Sequence, residues 1–456
     1  HRVDRRQRQM CIRDRCRSKT ALSPGTVIRV TSTRWQRLDA AWTSPAAPGG
    51  QRATRAGNAI AWPLAVLLIL HRLVVLARTG SITDDFTTVW SATRRFVERV
   101  PVYNEVYHHV NPHYLYNPGA TLLLSPLGLI PSVEAARPWF VLLNALAIIA
   151  AIAWLARLSG YSLSHPLFPA ALALAFATEA VTNTLVFSNI NGMLLLTLVA
   201  FLACMRSRRE LVAGVVIGLA IVVKPMFLPL LVLPLMKLRW VTLAAGVAVP
   251  VLLNVAAWPL TPGASDYLDK LVPYLGITRD YANSSLAGFA VYFGMPGWLH
   301  AVLFVLFAVA VAVAVLGLAR WRHSDEWLWL TATTGVLIAG VCLLSSLGQA
   351  YYSMMLFPAL FTVVHRVSPM HTWTAWLGAA LCLSPLDWTS PHWPALGGWL
   401  NTFLPTAGWA VFIVAVAAWV VSVQTSTQMK GVRNEPAEQP RLRKLDRGAV
   451  AGETQP

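Results

Sequence analysis

Two adjacent carboxylates, Asp84 and Asp85, stand a few residues beyond the end of a long apolar run, at the head of a polar island from Ile82 to Pro126. A charge so close to hydrocarbon costs roughly 2.5 to 3.5 kcal/mol on insertion scales, so it tends to mark a function or a partner. A carboxylate there can act as a general base toward an acceptor hydroxyl. The pair can also be read as solvated loop charges, or as the N-cap of a helix over FTTVWSATRRF with Thr83 or Asp84 as the cap. Farther along, Lys224 and Arg279 are cations suited to a departing phosphate. Asp280, Tyr281, Asn283 and Ser284 follow Arg279 as hydrogen-bonding groups for a phosphate or sugar, although an Arg-Asp pair in a loop is as readily structural. His113, beside Tyr114 and Tyr116, can contact a phosphate or a sugar hydroxyl or sit as an interfacial histidine among belt tyrosines. A third polar insertion, SSLGQAYYSMMLFP, adds Gln349, Tyr351 and Tyr352. No Walker loop, dinucleotide fingerprint or protease triad is present.

The elements that must position these groups are membrane helices. The sequence is 56% hydrophobic and only 12% charged, and its charges cluster between long apolar runs. About 20 apolar residues cross a bilayer, and runs of that kind between residues 59 and 423 predict ten to twelve spans. Backbone in lipid must satisfy its own hydrogen bonds, so the expected fold is an all-α polytopic bundle with re-entrant segments. The net charge of +17 invites a nucleic-acid reading, but much of it flanks spans and much of the rest lies in the first 22 residues. These begin at His1, look like translated adapter sequence, and are set aside. Residues 1–58 read as a basic, disordered cytoplasmic lead, 59–423 as the membrane domain and 424–456 as a disordered tail. Cys204, Cys342 and Cys382 lie singly in apolar runs, so neither a disulfide framework nor a zinc site follows. No dense carboxylate or His cluster calls for a metal, and no cofactor is expected.

The basic lead places the first span's start in the cytoplasm and Asp84 and Asp85 on the outer face. In DFTTVWSATRRFVERV, Phe86, Val89, Trp90, Phe96, Val97 and Val100 fall on one side, as in a helix lying at an interface. NPHYLYNPGATLLLSPLGLIP is too short and too proline-rich to span comfortably, and reads as re-entrant or surface-lying. Glu179, Asn183, Asn189 and Asn191 sit in apolar surroundings, lining a cavity or bonding between helices. Arg206, Arg208 and Arg209 on one side of LVAGVVIGLAIVVKPMFLPLLVLPLM, and Lys237 and Arg239 on the other, both read as cytoplasmic. One straight span would violate that, so a broken hairpin with Lys224 at its turn is predicted, a place where ligand contacts occur.

Taken in order, ITDDF, VYNE, NPHYLYNPG, ATEAVTNTLVFSNING, VVKP, TRDYANSS, VYFGMP and QAYYSMMLFP resemble the branching arabinofuranosyltransferases of mycobacterial and corynebacterial cell walls, in glycosyltransferase family 87 of the GT-C superfamily. The resemblance covers most of residues 58–368. One departure is Asn111, where the family pattern has Asp before the proline. The resemblance implies a GT-C-like bundle, a decaprenyl-phosphoryl arabinofuranose donor drawn from the membrane lipid, and an arabinan acceptor as in arabinogalactan and lipoarabinomannan. It further implies inverting transfer to the 3-hydroxyl at the outer face of the plasma membrane. Asp84 and Asp85 match the family's aspartate motif, with Asp84 expected as base and Asp85 as support. Lys224, Arg279 and His113 are the candidates for phosphate stabilisation. A mannosyltransferase of the same superfamily and a lipid or sugar transporter are the competing readings.

Overall fold

The computed structural model describes residues 51–79, 84–107 and 113–433. Most of the expected lead, the expected tail beyond Arg433, Thr83 and Asn111 lie outside them. Among the described residues every regular element is helical, as a chain with so few polar backbone partners in lipid requires. The chain is a multi-pass membrane protein.

Among the described residues six helices are long and apolar enough to cross a bilayer: Arg52–Leu76, Val133–Leu158, Trp240–Leu260, Gly297–Trp321, Glu326–Leu344 and Pro394–Val423. The bent pair Leu167–Ala177 and Glu179–Val186, angled by 64° at Thr178, makes a seventh. Shorter apolar helices accompany them among the described residues, because several of the apolar runs behind the expected ten to twelve spans form short or stretched helices. Ala350–Val364 is one of these, built of 3₁₀ turns around a short α-helix at Phe357–Leu360. At up to roughly 2.0 Å per residue in its 3₁₀ portions it still covers most of a hydrocarbon core. The first helix starts at Gln51, earlier than the lead was expected to end, and the last runs to Arg433.

The predicted break at Lys224 is present. The Glu210–Val223 helix stops there, with Lys224 extended at φ −137° and ψ 106°, and a 3₁₀ segment Pro225–Leu231 and a short helix Val232–Met236 follow. Pro225, Pro229 and Pro234 withhold the N–H groups that a continuing α-helix needs. The next helix, Trp240–Ala257, packs on Glu210–Val223 in parallel: Thr242 Oγ1 donates to Glu210 O at 3.0 Å, Gly214 faces Ala245, and Gly218 faces Val249. Two successive helices can run parallel only if the link between them returns to its starting end, so residues 210–239 form a hairpin with Lys224 at the far end. The glycines allow the approach: a Cβ on Gly214 would stand 2.5 Å from that of Ala245.

The hairpin's open end belongs to a basic layer. Arg206 donates to Leu158 O, Arg239 donates to Met205 O and pairs with Glu326 at 2.8 Å, and Lys237 reaches Arg322 O at 2.8 Å. Asn58 bonds Ser164 O at 2.7 Å in the same layer. The opposite layer gathers Asp85, the Phe187–Asn191 turn, Lys224 and the Gln349–Tyr352 segment.

The helix predicted after the Asp pair spans Asp85–Val97 and buries Phe86, Val89, Ala92, Thr93 and Phe96. Its apolar side packs on protein rather than lying bare on lipid. Phe86 meets Phe140 with ring centroids 4.5 Å apart, and Trp90 Nε1 donates to Ile130 O at 3.2 Å. The proline-rich segment after it is a short helix, Pro118–Leu124, capped by Asn117 and continued by a 3₁₀ turn. It is tied to the hairpin and its partner by Asn117 Nδ2 to Val222 O at 2.8 Å and Gly119 N to Asn254 Oδ1 at 3.0 Å.

Candidate active site

The two aspartates occupy different environments. Asp84 is the N-cap of Asp85–Val97, its Oδ1 accepting from Thr87 N at 2.7 Å. Its Oδ2 accepts from Arg137 Nε at 2.7 Å, and the carboxylate is only 3% exposed. Arg137 extends the clamp to Ala77 O at 3.0 Å and Val186 O at 3.2 Å. Both oxygens of Asp84 are thus committed, in keeping with the N-cap alternative for this residue. Arg137 carries no signal in sequence beyond being a lone cation near the start of a membrane helix.

Asp85 faces Asn189 and Tyr351. Its backbone N–H donates to Phe187 O at 2.9 Å. Its Oδ2 accepts from Asn189 Nδ2 and, at 3.2 Å, from the Tyr351 hydroxyl. Both contacts fall on Oδ2, which leaves Oδ1 to meet a further group. The charge of Asp85 also reaches Tyr116, Tyr352 and Lys224.

Lys224 forms the other pole. Its ammonium donates to Asn189 Oδ1 at 3.0 Å and Asn191 Oδ1 at 2.8 Å, and lies 4.6 Å from the Tyr352 ring centroid and 5.6 Å from that of Tyr351. The residue is 8% exposed. None of the ion pairs among the described residues includes it. A buried cation held by two amide oxygens and two aromatic faces is stabilised less than one that meets an anion. The Asn191 amide nitrogen beside it, and Gln349 Oε1 three residues before Tyr352, are buried without hydrogen-bond partners among the described residues. Such groups favour a ligand bearing both donors and acceptors. No group of three or more His, Cys, Asp or Glu side chains converges as a metal site among the described residues.

Of the sequence candidates, Asp85, Lys224, Tyr116 and Tyr352 come together, with Gln349 three residues before Tyr352. The others lie elsewhere. His113 Nδ1 is 3.2 Å from Glu105 Oε2, and its ring packs against Tyr107 and Tyr274 at 5.1 and 5.4 Å. Glu105 also binds Arg95 at 2.9 Å. Tyr114 is fully buried with its hydroxyl 2.8 Å from Thr121 Oγ1, in an aromatic core with Tyr103 and Tyr274. Burial pushes the phenols of Tyr103 and Tyr107 up, so they stay neutral. Asn283 spends its side chain on backbone, donating to Arg279 O and Ser346 O and accepting from Ser285 N and Gly348 N. It pins the backbone at Ser346 and Gly348, just before the Gln349–Tyr352 segment. Arg279 lies 5.5 Å from the Tyr281 ring centroid, near enough for its charge to be felt at Tyr352, while Asp280 is exposed. Asn189, noted in sequence only as a polar residue in an apolar run, bridges the poles, and Asn191 holds Lys224 from a second side.

Asp85 and Lys224 are thus the two charged ends of one buried polar cluster in a multi-pass helical membrane protein. The sequence profile of glycosyltransferase family 87 matches residues 114–346, and the chain belongs to that family. It is a glycosyltransferase. It is 55% identical over 358 residues to the α-(1→3)-arabinofuranosyltransferase of Corynebacterium glutamicum, covering 78% of this chain and 86% of the relative. The proteins of the same name from Mycolicibacterium smegmatis and Mycobacterium tuberculosis (strain H37Rv) are each 43% identical, over 79% and 77% of this chain and 84% and 82% of their own lengths. Family membership sets the transporter reading aside.

Proposed function

We propose that the chain moves arabinofuranose from decaprenyl-phosphoryl arabinofuranose to the 3-hydroxyl of an α-(1→5)-linked arabinan, with inversion. The observation that carries this reading is the placement of Asp85 and Lys224 on either side of Asn189, the cation having no carboxylate partner among the described residues. Asp85 takes the proton from the acceptor hydroxyl as its oxygen bonds to the anomeric carbon. The bond from that carbon to the prenyl phosphate breaks with its electron pair, and the phosphate leaves as an anion beside Lys224. One displacement at a β-linked donor gives the α product. The Tyr351 hydroxyl orients the base, and the rings of Tyr116, Tyr351 and Tyr352 offer faces to a sugar. The sugar and linkage come from the names of the relatives.

The pocket lies on the outer face of the plasma membrane in this proposal. What supports that side is the layer of Arg206, Lys237, Arg239 and Arg322 at the other end, which the positive-inside rule assigns to the cytoplasm. The mannosyl alternative differs only in the sugar, so one assay separates the two. Membranes containing the protein are given labelled prenyl-phosphoryl arabinofuranose or prenyl-phosphoryl mannose with an arabinan acceptor. Transfer is expected from the arabinofuranosyl donor alone. In Lys224→Met it should fall about a hundredfold or more, the loss that follows removal of a group stabilising developing charge. Transfer from the mannosyl donor, or full activity in Lys224→Met, would contradict the proposal.

A further inference from the structure

Asp85 and Lys224 belong to one polar cluster but make no ion pair with each other. In a medium of low dielectric, a carboxylate and an ammonium free to meet would close into a direct ion pair. That contact would hold the base deprotonated but unreactive and would quench the cation before any phosphate arrived. The side chain of Asn189 stands between them, its Nδ2 donating to Asp85 and its Oδ1 accepting from Lys224 at 3.0 Å. The amide cannot turn over, because Oδ1 also accepts from the Asn191 backbone N–H at 3.1 Å. Asn191 Oδ1 holds Lys224 from a second direction at 2.8 Å.

The turn that presents Asn189 is itself over-determined. Ser188 adopts φ +51°, a left-handed conformation that costs a non-glycine residue energy and tends to persist where its surroundings require it. On either side of it, Phe187 O accepts from Asp85 N at 2.9 Å and Asn189 N donates to Thr184 O at 2.8 Å. One turn therefore places both the backbone and the carboxylate of Asp85, and it holds Asn189 at 3% exposure.

We propose that Asn189 is a positioning residue, a neutral spacer that keeps the base and the phosphate-binding cation one amide apart so that each retains its charge for its own end of the reaction. This rests on the assignment of Asp85 as base and Lys224 as the phosphate cation. The other charged or titratable groups facing Asp85 are Tyr116, Tyr351 and Tyr352, with Arg279 beyond Tyr352 and the Asp84–Arg137 pair behind the helix start. Tyr351 also meets both poles, with its hydroxyl on Asp85 and its ring 5.6 Å from the Lys224 ammonium, but among the described residues Asn189 is the side chain that hydrogen-bonds to both.

The test is the pH profile of kcat/KM for arabinofuranosyl transfer in wild type, Asn189→Asp and Asn189→Ala, with each protein checked for monodispersity after extraction. Asn189→Asp is isosteric but sets a second carboxylate against Asp85, so the acid limb should move up by about one unit or more as like charge disfavours ionisation. Asn189→Ala removes the spacer and lets Lys224 close on Asp85, so the limb should move down while kcat falls about tenfold or more. Opposite displacements are the signature of a spacer, which a merely structural asparagine would not produce. Limbs that stay in place in both variants, or move the same way, would overturn the inference. If Asn189→Asp does not extract as folded protein, the downward limb of Asn189→Ala decides alone. Asp85→Asn serves as control: full activity there sinks the underlying assignment, whereas inactivity there with unmoved Asn189 limbs sinks the spacer only.

Discussion

Asp85→Asn is expected to lower transfer by roughly a hundredfold to ten-thousandfold, the contribution of a positioned general base, while the protein remains folded. Asparagine fills the same volume and can still hydrogen bond with Tyr351 and Asn189, so the pocket keeps its shape. What disappears is the capacity of Oδ1 to accept a proton. The measurement is a single-turnover rate in detergent or membranes, with thermal unfolding alongside. A rate within a fewfold of wild type would show that Asp85 is not the base. Asp84→Asn is the informative companion, because its partners are a helix N-terminus and Arg137, so its main cost should fall on stability.

The second large effect belongs to Arg137. Arg137→Leu leaves the Asp84 carboxylate buried at 3% exposure without its cation, and breaking such a pair costs about 3 to 5 kcal/mol. Two carbonyls, Ala77 O and Val186 O, lose their donor at the same time. The expected result is a large drop in unfolding temperature and in extractable protein. Because the cost comes from the stranded charge, Arg137→Leu combined with Asp84→Asn should recover much of the loss, a coupling that a thermodynamic cycle measures. A double variant as unstable as the sum of its parts would mean that the ion pair is not what Arg137 contributes.

The comparison between these residues shows how far sequence could reach. Adjacent carboxylates beyond a membrane helix announce chemistry, and an N-cap role was one of the open readings, but their order of roles depends on Arg137. That residue is 53 positions from Asp84 in sequence, and nothing local predicts the meeting. Lys224 was legible because basic residues on both flanks of one apolar run demand a hairpin, and prolines show where it breaks. His113 and Asn283 have suitable side chains for a sugar or phosphate, yet their partners, Glu105 and the backbone around Ser346 and Gly348, are visible only in three dimensions. Span number does not follow from apolar length alone, for a physical reason. Apolar length counts residues, while the bend at Thr178 and the stretched turns of 350–364 change how far those residues reach.

In the proposed reaction a single inverting displacement takes place between Asp85 and Lys224. Its most direct test is the structure of the product made from labelled decaprenyl-phosphoryl arabinofuranose and a short α-(1→5) arabinan, with linkage and anomeric configuration read by NMR. A new α-linked residue on a 3-hydroxyl, formed by wild type and absent with Asp85→Asn, is the predicted result. A β-linked product, attachment at another hydroxyl, or an unchanged product from Asp85→Asn would contradict it.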